Sequence, residues 1–188
     1  AANYSVVVTG ACNNVTSSTA ALTVNDPVAI TAQPISQTIC SPTVATLSVT
    51  ASGSNATYQW YNGGSIIAGA TSNTYTTSTT GNYYVVVSNS CNTVTSSVAA
   101  VTNNTAAAIV TQPAAVTTCA GTSASFSVAA TGTNLTYQWS KNGTPIPGAT
   151  SSILTISNVQ SLDAANYSVV VTGACNNVTS STAALTVN

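Results

Sequence analysis

Residues 134–148 read "NLTYQWSKNGTPIPG" and combine two patterns that are typical of β-structure. Leu135, Tyr137 and Trp139 alternate with polar residues, and this period of two predicts a strand with one buried face. Asn142-Gly143 follows, which is the strongest short signal for a two-residue hairpin turn. The stretch therefore predicts two antiparallel strands, with a buried tryptophan on the first.

Strand patterns of the same kind continue on both sides of this hairpin. Their apolar positions are Phe126 and Val128, Leu154 and Ile156, Tyr167, Val169 and Val171, and Leu185 and Val187. No segment has helical periodicity. About seven short strands, with a tryptophan on the third main strand and a tyrosine opening the sixth, predict an all-β immunoglobulin-like sandwich. We expect Trp60, Trp139, Tyr83 and Tyr167 to form the cores of two such domains.

The chain repeats itself on two scales, and repeats decide domain organisation. Residues 1–25 are identical to residues 164–188, and Trp60 matches Trp139 at a shorter offset. The longer repeat, which is marked by the two identical stretches, thus contains two divergent modules that are related by the shorter offset. We predict tandem domains placed end to end at 26–103 and 104–188, with 1–25 as the C-terminal strand hairpin of a preceding repeat. We also expect the chain to be a window of a longer array.

Charge is almost absent, which excludes several classes of partner. The charged side chains are Lys141, Asp26 and Asp163, and there is no histidine. An average soluble domain is about one quarter charged. Without a basic patch, nucleic acid is a poor partner. No apolar run reaches the roughly 18 residues that a membrane-spanning helix needs, so we expect no membrane insertion.

The residues that support catalysis or metal binding are also missing. The chain has no histidine and no glutamate, so no base activates its many hydroxyl groups. Asp26 and Asp163 fall in a linker and in a turn, whereas a calcium site needs several carboxylates together. We predict no enzyme, no catalytic or metal site, and no cofactor.

The second module resembles a known family along its whole length. Its segments "YQWSKNG", "LTISNV", "DAANYSV" and "LTV" resemble the intermediate-set immunoglobulin domain. The additional segments "CAGTS" and "IPGATS" are similar to the tandem repeats of giant surface and adhesin proteins of gliding, Bacteroidetes-type bacteria. Val128 and Val169 occupy the positions of that family's inter-sheet cysteines, so apolar packing replaces the usual disulfide. In the first module, Thr79 replaces the aspartate that precedes the corner tyrosine.

This resemblance implies a secreted, bacterial cell-surface protein and two functions. The first is a structural component of an extracellular filament, stalk or sheath, whose partners are copies of itself along or across a fibre. The alternative is an adhesin whose repeats bind glycan or another cell. A third hypothesis is that the 1–25 hairpin completes a different module by donor-strand assembly.

Five cysteines without histidine indicate disulfides in an oxidising compartment. In an immunoglobulin-like sandwich, Cys119 and Cys175 fall at opposite ends of strands about 23 Å long, beyond the roughly 7 Å that a disulfide allows between Cα atoms. We therefore favour an interdomain Cys40–Cys175 bond, with the partners of Cys91, Cys119 and Cys12 in neighbouring repeats. The alternatives are intradomain bonds, Cys40–Cys91 and Cys119–Cys175, or free or intermolecular thiols.

Overall fold

The structure is a computed structural model that describes all residues from Ala1 to Asn188. It contains 24 strands and one short 3₁₀ helix, Ser161–Asp163. The chain divides into two compact units, of which the first comprises residues 1–37 and 46–101 and the second residues 38–45 and 102–188. No helix has the length and apolar character needed to cross a membrane.

The N-terminal hairpin contains four short strands that pair with one another. They are β1 (Ala2–Tyr4), β2 (Val7–Thr9), β3 (Asn14–Thr16) and β4 (Ala20–Leu22). Strand β1 pairs with β4 and β2 pairs with β3, both antiparallel. All residues from 1 to 24 are exposed, so the apolar side of this hairpin is uncovered.

The first domain is a two-layer sandwich. Its strands are β5 (Ala29–Ala32), β6 (Gln37–Cys40), β7 (Ala45–Ser48), β8 (Thr50–Ser52), β9 (Thr57–Asn62), β10 (Ser65–Ile66), β11 (Thr74–Thr77), β12 (Gly81–Ser88), β13 (Thr93–Thr95) and β14 (Ala99–Asn104). One layer has the order β10-β9-β12-β14-β6, with β13 beside β12, and the other contains the pairs β5-β8 and β11-β7.

The second domain repeats this arrangement. Its strands are β15 (Ala108–Thr111), β16 (Val116–Thr118), β17 (Ala124–Ser127), β18 (Ala129–Thr131), β19 (Thr136–Lys141), β20 (Thr144–Pro145), β21 (Ile153–Ile156), β22 (Ala165–Thr172), β23 (Asn177–Thr179) and β24 (Ala183–Val187). One layer has the order β16-β24-β22-β19-β20, with β23 beside β22, and the pairs β15-β18 and β17-β21 form the other. The predicted all-β sandwich fold is thus confirmed for both domains.

The hairpin turn predicted at Asn142-Gly143 is also confirmed. Both residues have positive φ, 50° and 82°, and they connect β19 to β20 through the Lys141–Thr144 pair. Positive φ at both central residues is the requirement of a type I′ turn, which matches the right-handed twist of the strands. In the first domain Gly63 and Gly64 adopt the same two conformations at 55° and 88°.

Each core is built around a tryptophan and a tyrosine. Trp60 and Tyr83 are buried in the first domain, and Trp139 and Tyr167 are buried in the second. Each indole Nε1–H donates to a backbone carbonyl across the core, at Ser72 or Ser151, over 2.9 Å. Because these polar atoms are satisfied, the rings contribute their apolar burial without the cost of a lost hydrogen bond.

The corner tyrosines fix the connection that precedes the strands on which they lie. The Tyr83 hydroxyl donates to the Thr79 carbonyl over 2.9 Å, and the Tyr167 hydroxyl donates to the Asp163 carbonyl over 2.9 Å. Since the acceptor is a backbone carbonyl in both cases, the bond survives the replacement of aspartate by threonine at position 79. In both domains this bond holds the turn before the strand against the end of the core, as in other tyrosine corners.

Candidate functional site: paired and unpaired cysteines

A disulfide joins Cys40 to Cys175 in the structure. Its Cα atoms are 5.6 Å apart, and its two cysteines are 135 positions apart in the sequence. Cys40 ends strand β6 of the first sequence module, whereas Cys175 lies in the turn between β22 and β23 of the second. Both cysteines belong to the second compact unit, because residues 38–45 cluster with residues 102–188.

The turn after β6 positions Cys40. Thr43 closes this turn because its backbone N–H and its hydroxyl both donate to the Cys40 carbonyl, over 2.8 Å and 2.6 Å. The same hydroxyl accepts from the Cys40 N–H over 3.1 Å. Both backbone groups of this cysteine are thereby held by one threonine, and such local side-chain to backbone bonds are the usual device for fixing a turn.

The turn between β22 and β23 positions Cys175. The next residue, Asn176, accepts from the Ala107 N–H over 2.6 Å and donates to the Ala107 carbonyl over 3.1 Å. Cys175 Sγ lies 3.5 Å from the Asn104 carbonyl oxygen. The asparagine thus ties the turn to the backbone that enters β15, and this contact fixes the direction in which the cysteine projects.

The intradomain pairings Cys40–Cys91 and Cys119–Cys175 do not occur. Cys91, Cys119 and Cys12 are exposed free thiols. Cys91 lies between β12 and β13, Cys119 follows β16, and Cys12 lies between β2 and β3. Cys119 and Cys175 lie at opposite ends of the strands of the second sandwich, farther apart than a disulfide allows. Cys175 therefore bonds to Cys40, and Cys119 is unpaired.

One ion pair was not foreseen from the sequence. Asp163 lies in the predicted turn, where one of its carboxylate oxygens accepts from the Gln160 N–H over 3.0 Å. Its other carboxylate oxygen also lies 3.2 Å from Lys141 Nζ, which donates to the Leu162 carbonyl as well. The Gln160 N–H, followed by the Lys141 ammonium, holds the pKa of the Asp163 carboxyl below its usual value.

Burial has the largest effect on the pKa of the neighbouring Tyr167 hydroxyl. Removal of its phenol from water raises the pKa of that hydroxyl, because the ionised form is the one that loses hydration. The Lys141 charge opposes this shift. Tyr167 is therefore a neutral core residue whose hydroxyl serves as a hydrogen-bond donor, with no role as an acid or a base at neutral pH.

An aromatic pair on the first domain was also not foreseen from the sequence. Tyr61 is half-buried because its ring stacks on Tyr84, with centroids 5.0 Å apart and planes at 2°. The two residues are directly opposed on β9 and β12. Ser140 and Ser168 form the equivalent pair in the second domain. Since cross-strand partners were not assigned from the sequence, the stack could have been found only by pairing these two strands.

No group of three or more histidine, cysteine, aspartate or glutamate side chains lies close enough to hold a metal ion. The five cysteines can take part in thiol–disulfide chemistry, two of them in a disulfide and three as free thiols. A fold of this kind is typical of structural and adhesion proteins without catalytic activity.

Family models match two consecutive parts of the chain. Residues 27–106 match an Ig-like domain described as CHU_C associated, and residues 108–172 match the immunoglobulin domain. The chain matches no curated protein in sequence.

Solved structures of tandem immunoglobulin domains are similar in fold. The I-band fragment I67–I69 of titin has a TM-score of 0.73 at 16% identity, with 86% of this chain and 65% of that chain covered. Sidekick-1 immunoglobulin domains 1–4 give 0.73 at 16% identity, with 99% and 58% covered. Extracellular domains 3–5 of Drosophila OTK give 0.63 at 20% identity, with 94% and 67% covered.

The chain therefore spans less than two thirds of the titin and Sidekick-1 fragments, and these likenesses concern the fold alone. The sheet topology and the two family models agree that the chain contains two adjacent immunoglobulin-like sandwiches, and the structural neighbours have the same organisation. The chain thus contains two consecutive immunoglobulin-like domains, of which the first matches the model of the CHU_C-associated Ig-like domain and the second that of the immunoglobulin domain.

Proposed function

We propose that this chain is a load-bearing structural segment of an extracellular filament, stalk or sheath at a bacterial cell surface. The observation that carries the proposal is the Cys40–Cys175 disulfide, because it covalently ties one sequence module to the next. Disulfides persist in oxidising, extracellular surroundings, which supports a surface location. The proposed partners are further copies of the same repeats, along or across a fibre.

The position of the disulfide in the chain suggests how it carries load. When the two ends of the chain are pulled, tension passes through residues before Cys40, through the sulfur atoms, and through residues after Cys175. The residues enclosed between these cysteines, which are 135 positions apart, are outside the path of the load. Trp60 and Trp139 lie in this enclosed segment. The enclosed parts of both hydrophobic cores are thus shielded from mechanical extension while the disulfide is intact, whereas the core residues on the strands before Cys40 and after Cys175 remain in the path of the load.

The composition suits a material in uncontrolled surroundings. The chain has one basic and two acidic side chains. Its exposed contacts are therefore mainly hydroxyl and amide hydrogen bonds, which depend little on salt. Few groups titrate between pH 5 and 9, so the free energy of unfolding should vary little in that range.

Labelling of intact cells tests the proposal. Antibodies raised against this chain would be applied to unpermeabilised cells that make the protein and located by immunogold electron microscopy. We expect label at regular positions along filaments, stalks or sheaths. Label confined to the cell interior would refute the proposal. Label restricted to contacts between cells would favour the adhesin.

Pulling single molecules tests the mechanical role. With both ends attached in a force spectrometer, the oxidised chain should extend less than the reduced one. The hidden length is about 450 Å, from the 135-position separation and about 3.4 Å for each extended residue. The same length before and after reduction would contradict load bearing by the disulfide.

The alternative function is a surface adhesin that binds glycan or another cell, and the Tyr61–Tyr84 stack favours it. Stacked, half-buried tyrosines offer an aromatic face, and only the first domain has one, because serines replace both residues in the second. Binding to a glycan array should then be lost when Tyr61 and Tyr84 are both changed to serine. Substitution of Thr57 and Ser88 by alanine on the same two strands is the control.

A further inference from the structure

We propose that Cys119 of one copy forms a disulfide with Cys91 of a second copy, and so links copies of this chain in series. This inference rests on the proposed structural function and names the partner of its unpaired cysteines. Both thiols are free and exposed. Each lies in a local structure that matches one half of the Cys40–Cys175 disulfide.

Cys119 reproduces the half-site of Cys40. Thr122 lies three residues later, as Thr43 does after Cys40. Its hydroxyl donates to the Cys119 carbonyl over 2.7 Å, and its backbone N–H donates to the same carbonyl over 3.3 Å. A threonine three residues on therefore holds the Cys119 carbonyl as it holds that of Cys40, although the additional bond from the cysteine N–H to the threonine hydroxyl occurs only at Cys40.

Cys91 reproduces the half-site of Cys175. The following residue, Asn92, accepts from the Val28 N–H over 2.7 Å and donates to the Val28 carbonyl over 2.9 Å. These bonds match those of Asn176 to Ala107. Cys91 Sγ lies 3.4 Å from the Asn25 carbonyl oxygen, as Cys175 Sγ lies 3.5 Å from that of Asn104.

Cys12 provides an internal contrast. Its flanking sequence is identical to that of Cys175, from Thr9 to Asn14. Its turn lies in the exposed 1–25 hairpin, and Asn13 makes no side-chain bond to an entering strand of the kind that Asn176 makes. The proposed bond is therefore argued from Cys119 and Cys91, whose turns make the contacts described above.

The bond forms by thiol–disulfide exchange with a small disulfide oxidant, such as glutathione disulfide. The Cys119 thiolate attacks one sulfur of the oxidant and releases one glutathione thiol. The Cys91 thiolate of the second copy then attacks the mixed disulfide at Cys119 and releases the other. Two protein thiols are oxidised to one disulfide, one glutathione disulfide is reduced to two thiols, and two protons are transferred to these products.

The pairing is heterologous, because the two bonded cysteines are different residues. Each copy contributes one turn cysteine and one hairpin cysteine, so every bond leaves a free half-site of each kind on the growing species. Such contacts propagate unless the assembly closes into a ring. A bond between identical residues would stop at the dimer.

The test uses complementary variants of the full chain, all with Cys12→Ser to remove the third thiol. Each protein is incubated with glutathione disulfide and separated on non-reducing gels, and linked peptides are identified by mass spectrometry. We expect the Cys12→Ser protein to form a ladder linked through Cys91–Cys119. Additional Cys91→Ser or Cys119→Ser should abolish the ladder. Mixing these two variants should restore dimers and nothing larger.

Several outcomes would overturn the inference. Dimers formed by either single variant alone would show that the thiols react as ordinary exposed groups, through Cys91–Cys91 or Cys119–Cys119 bonds. Absence of a ladder in the Cys12→Ser protein would also refute it, provided that mass spectrometry finds Cys40–Cys175 intact. Unchanged circular dichroism confirms that the variants are folded. This result is separate from the filament proposal, since labelling on cells can succeed or fail independently of the ladder.

Discussion

Residues 1–25 and residues 164–188 have the same sequence but different surroundings. Both form the same antiparallel hairpin in the same register, and their turns close through the same bonds. The Gly10 N–H donates to the Asn13 carbonyl over 2.8 Å, and the Gly173 N–H donates to that of Asn176 over 2.8 Å. The equivalent strand pairs are Tyr4–Ala20 and Tyr167–Ala183, and Val8–Val15 and Val171–Val178.

The two copies differ in the exposure of the apolar side chains. Tyr4 is 57% exposed whereas Tyr167 is 1% exposed, and Leu22 is 50% exposed whereas Leu185 is 3% exposed. The strands of the first copy pair only with one another, whereas the second copy packs on Phe126, Trp139 and the rest of the core. Local hydrogen bonding therefore follows from these 25 residues, whereas burial requires the opposite layer of a sandwich.

The largest difference in stability between the two copies should appear when the tyrosine that they share is replaced in each. Tyr167→Ala removes the stack on Phe126, at 4.9 Å between ring centroids, and the bond to the Asp163 carbonyl. We expect a loss of about 3–5 kcal/mol in the free energy of unfolding. Tyr4→Ala should change it by no more than about 0.5 kcal/mol. Urea unfolding followed by tryptophan fluorescence measures both, and equal losses would contradict the comparison.

The second-largest difference in the free energy of unfolding should come from replacing the cysteine of each copy, because only Cys175 is in a disulfide. Cys175→Ser opens the 135-position loop closed by Cys40, which should cost about 2–4 kcal/mol because the unfolded chain gains freedom. Cys12→Ser should have no measurable effect, since that thiol is free and exposed. Guanidinium unfolding without reductant gives the two values. A stable Cys175→Ser protein would mean that the bond does not constrain the unfolded chain.

A smaller effect is expected from the hairpin serines. Ser180 Oγ accepts from the buried Val169 N–H over 3.0 Å and donates to the Ser181 carbonyl, as Ser17 Oγ does for Val6 and Ser18. Ser180→Ala leaves a buried N–H unsatisfied, at a cost of about 1–3 kcal/mol. Ser17→Ala should cost less than about 0.5 kcal/mol, because water replaces the hydroxyl. Thermal unfolding of the matched pair would reveal a reversed order.

The smallest effect concerns pH. Because the fold lowers the pKa of Asp163, this carboxylate contributes stability above its ordinary value of 3.8 and loses it as pH falls through the folded value. Because the fold raises the pKa of Tyr167, that phenol contributes stability below 10.0, which is lost as pH rises through its folded value. We expect a flat unfolding midpoint from pH 5 to 9. Asp163→Asn should remove the acid limb, and an unchanged limb would contradict the assignment.

Much of the fold could be predicted because its signals are local. Alternation around Trp139, the Asn142-Gly143 turn and the tyrosine that opens β22 each depend on a few adjacent residues. The Lys141–Asp163 pair and the Tyr61–Tyr84 stack were missed, since they depend on which strands and turns become neighbours. The Cys40–Cys175 bond was predicted only by reasoning about the ends of the sandwich strands.

The hairpins, their register and the turns that hold the cysteines follow from local sequence, because backbone hydrogen bonds and turn conformations depend on residues close together in the chain. The identical 1–25 and 164–188 stretches demonstrate this directly. Which hairpin is buried and which cysteine is bonded, in contrast, depend on the packing of distant segments. Burial needs a second layer of apolar side chains, and a disulfide needs two Cα atoms within about 7 Å, and both conditions depend on residues distant in sequence.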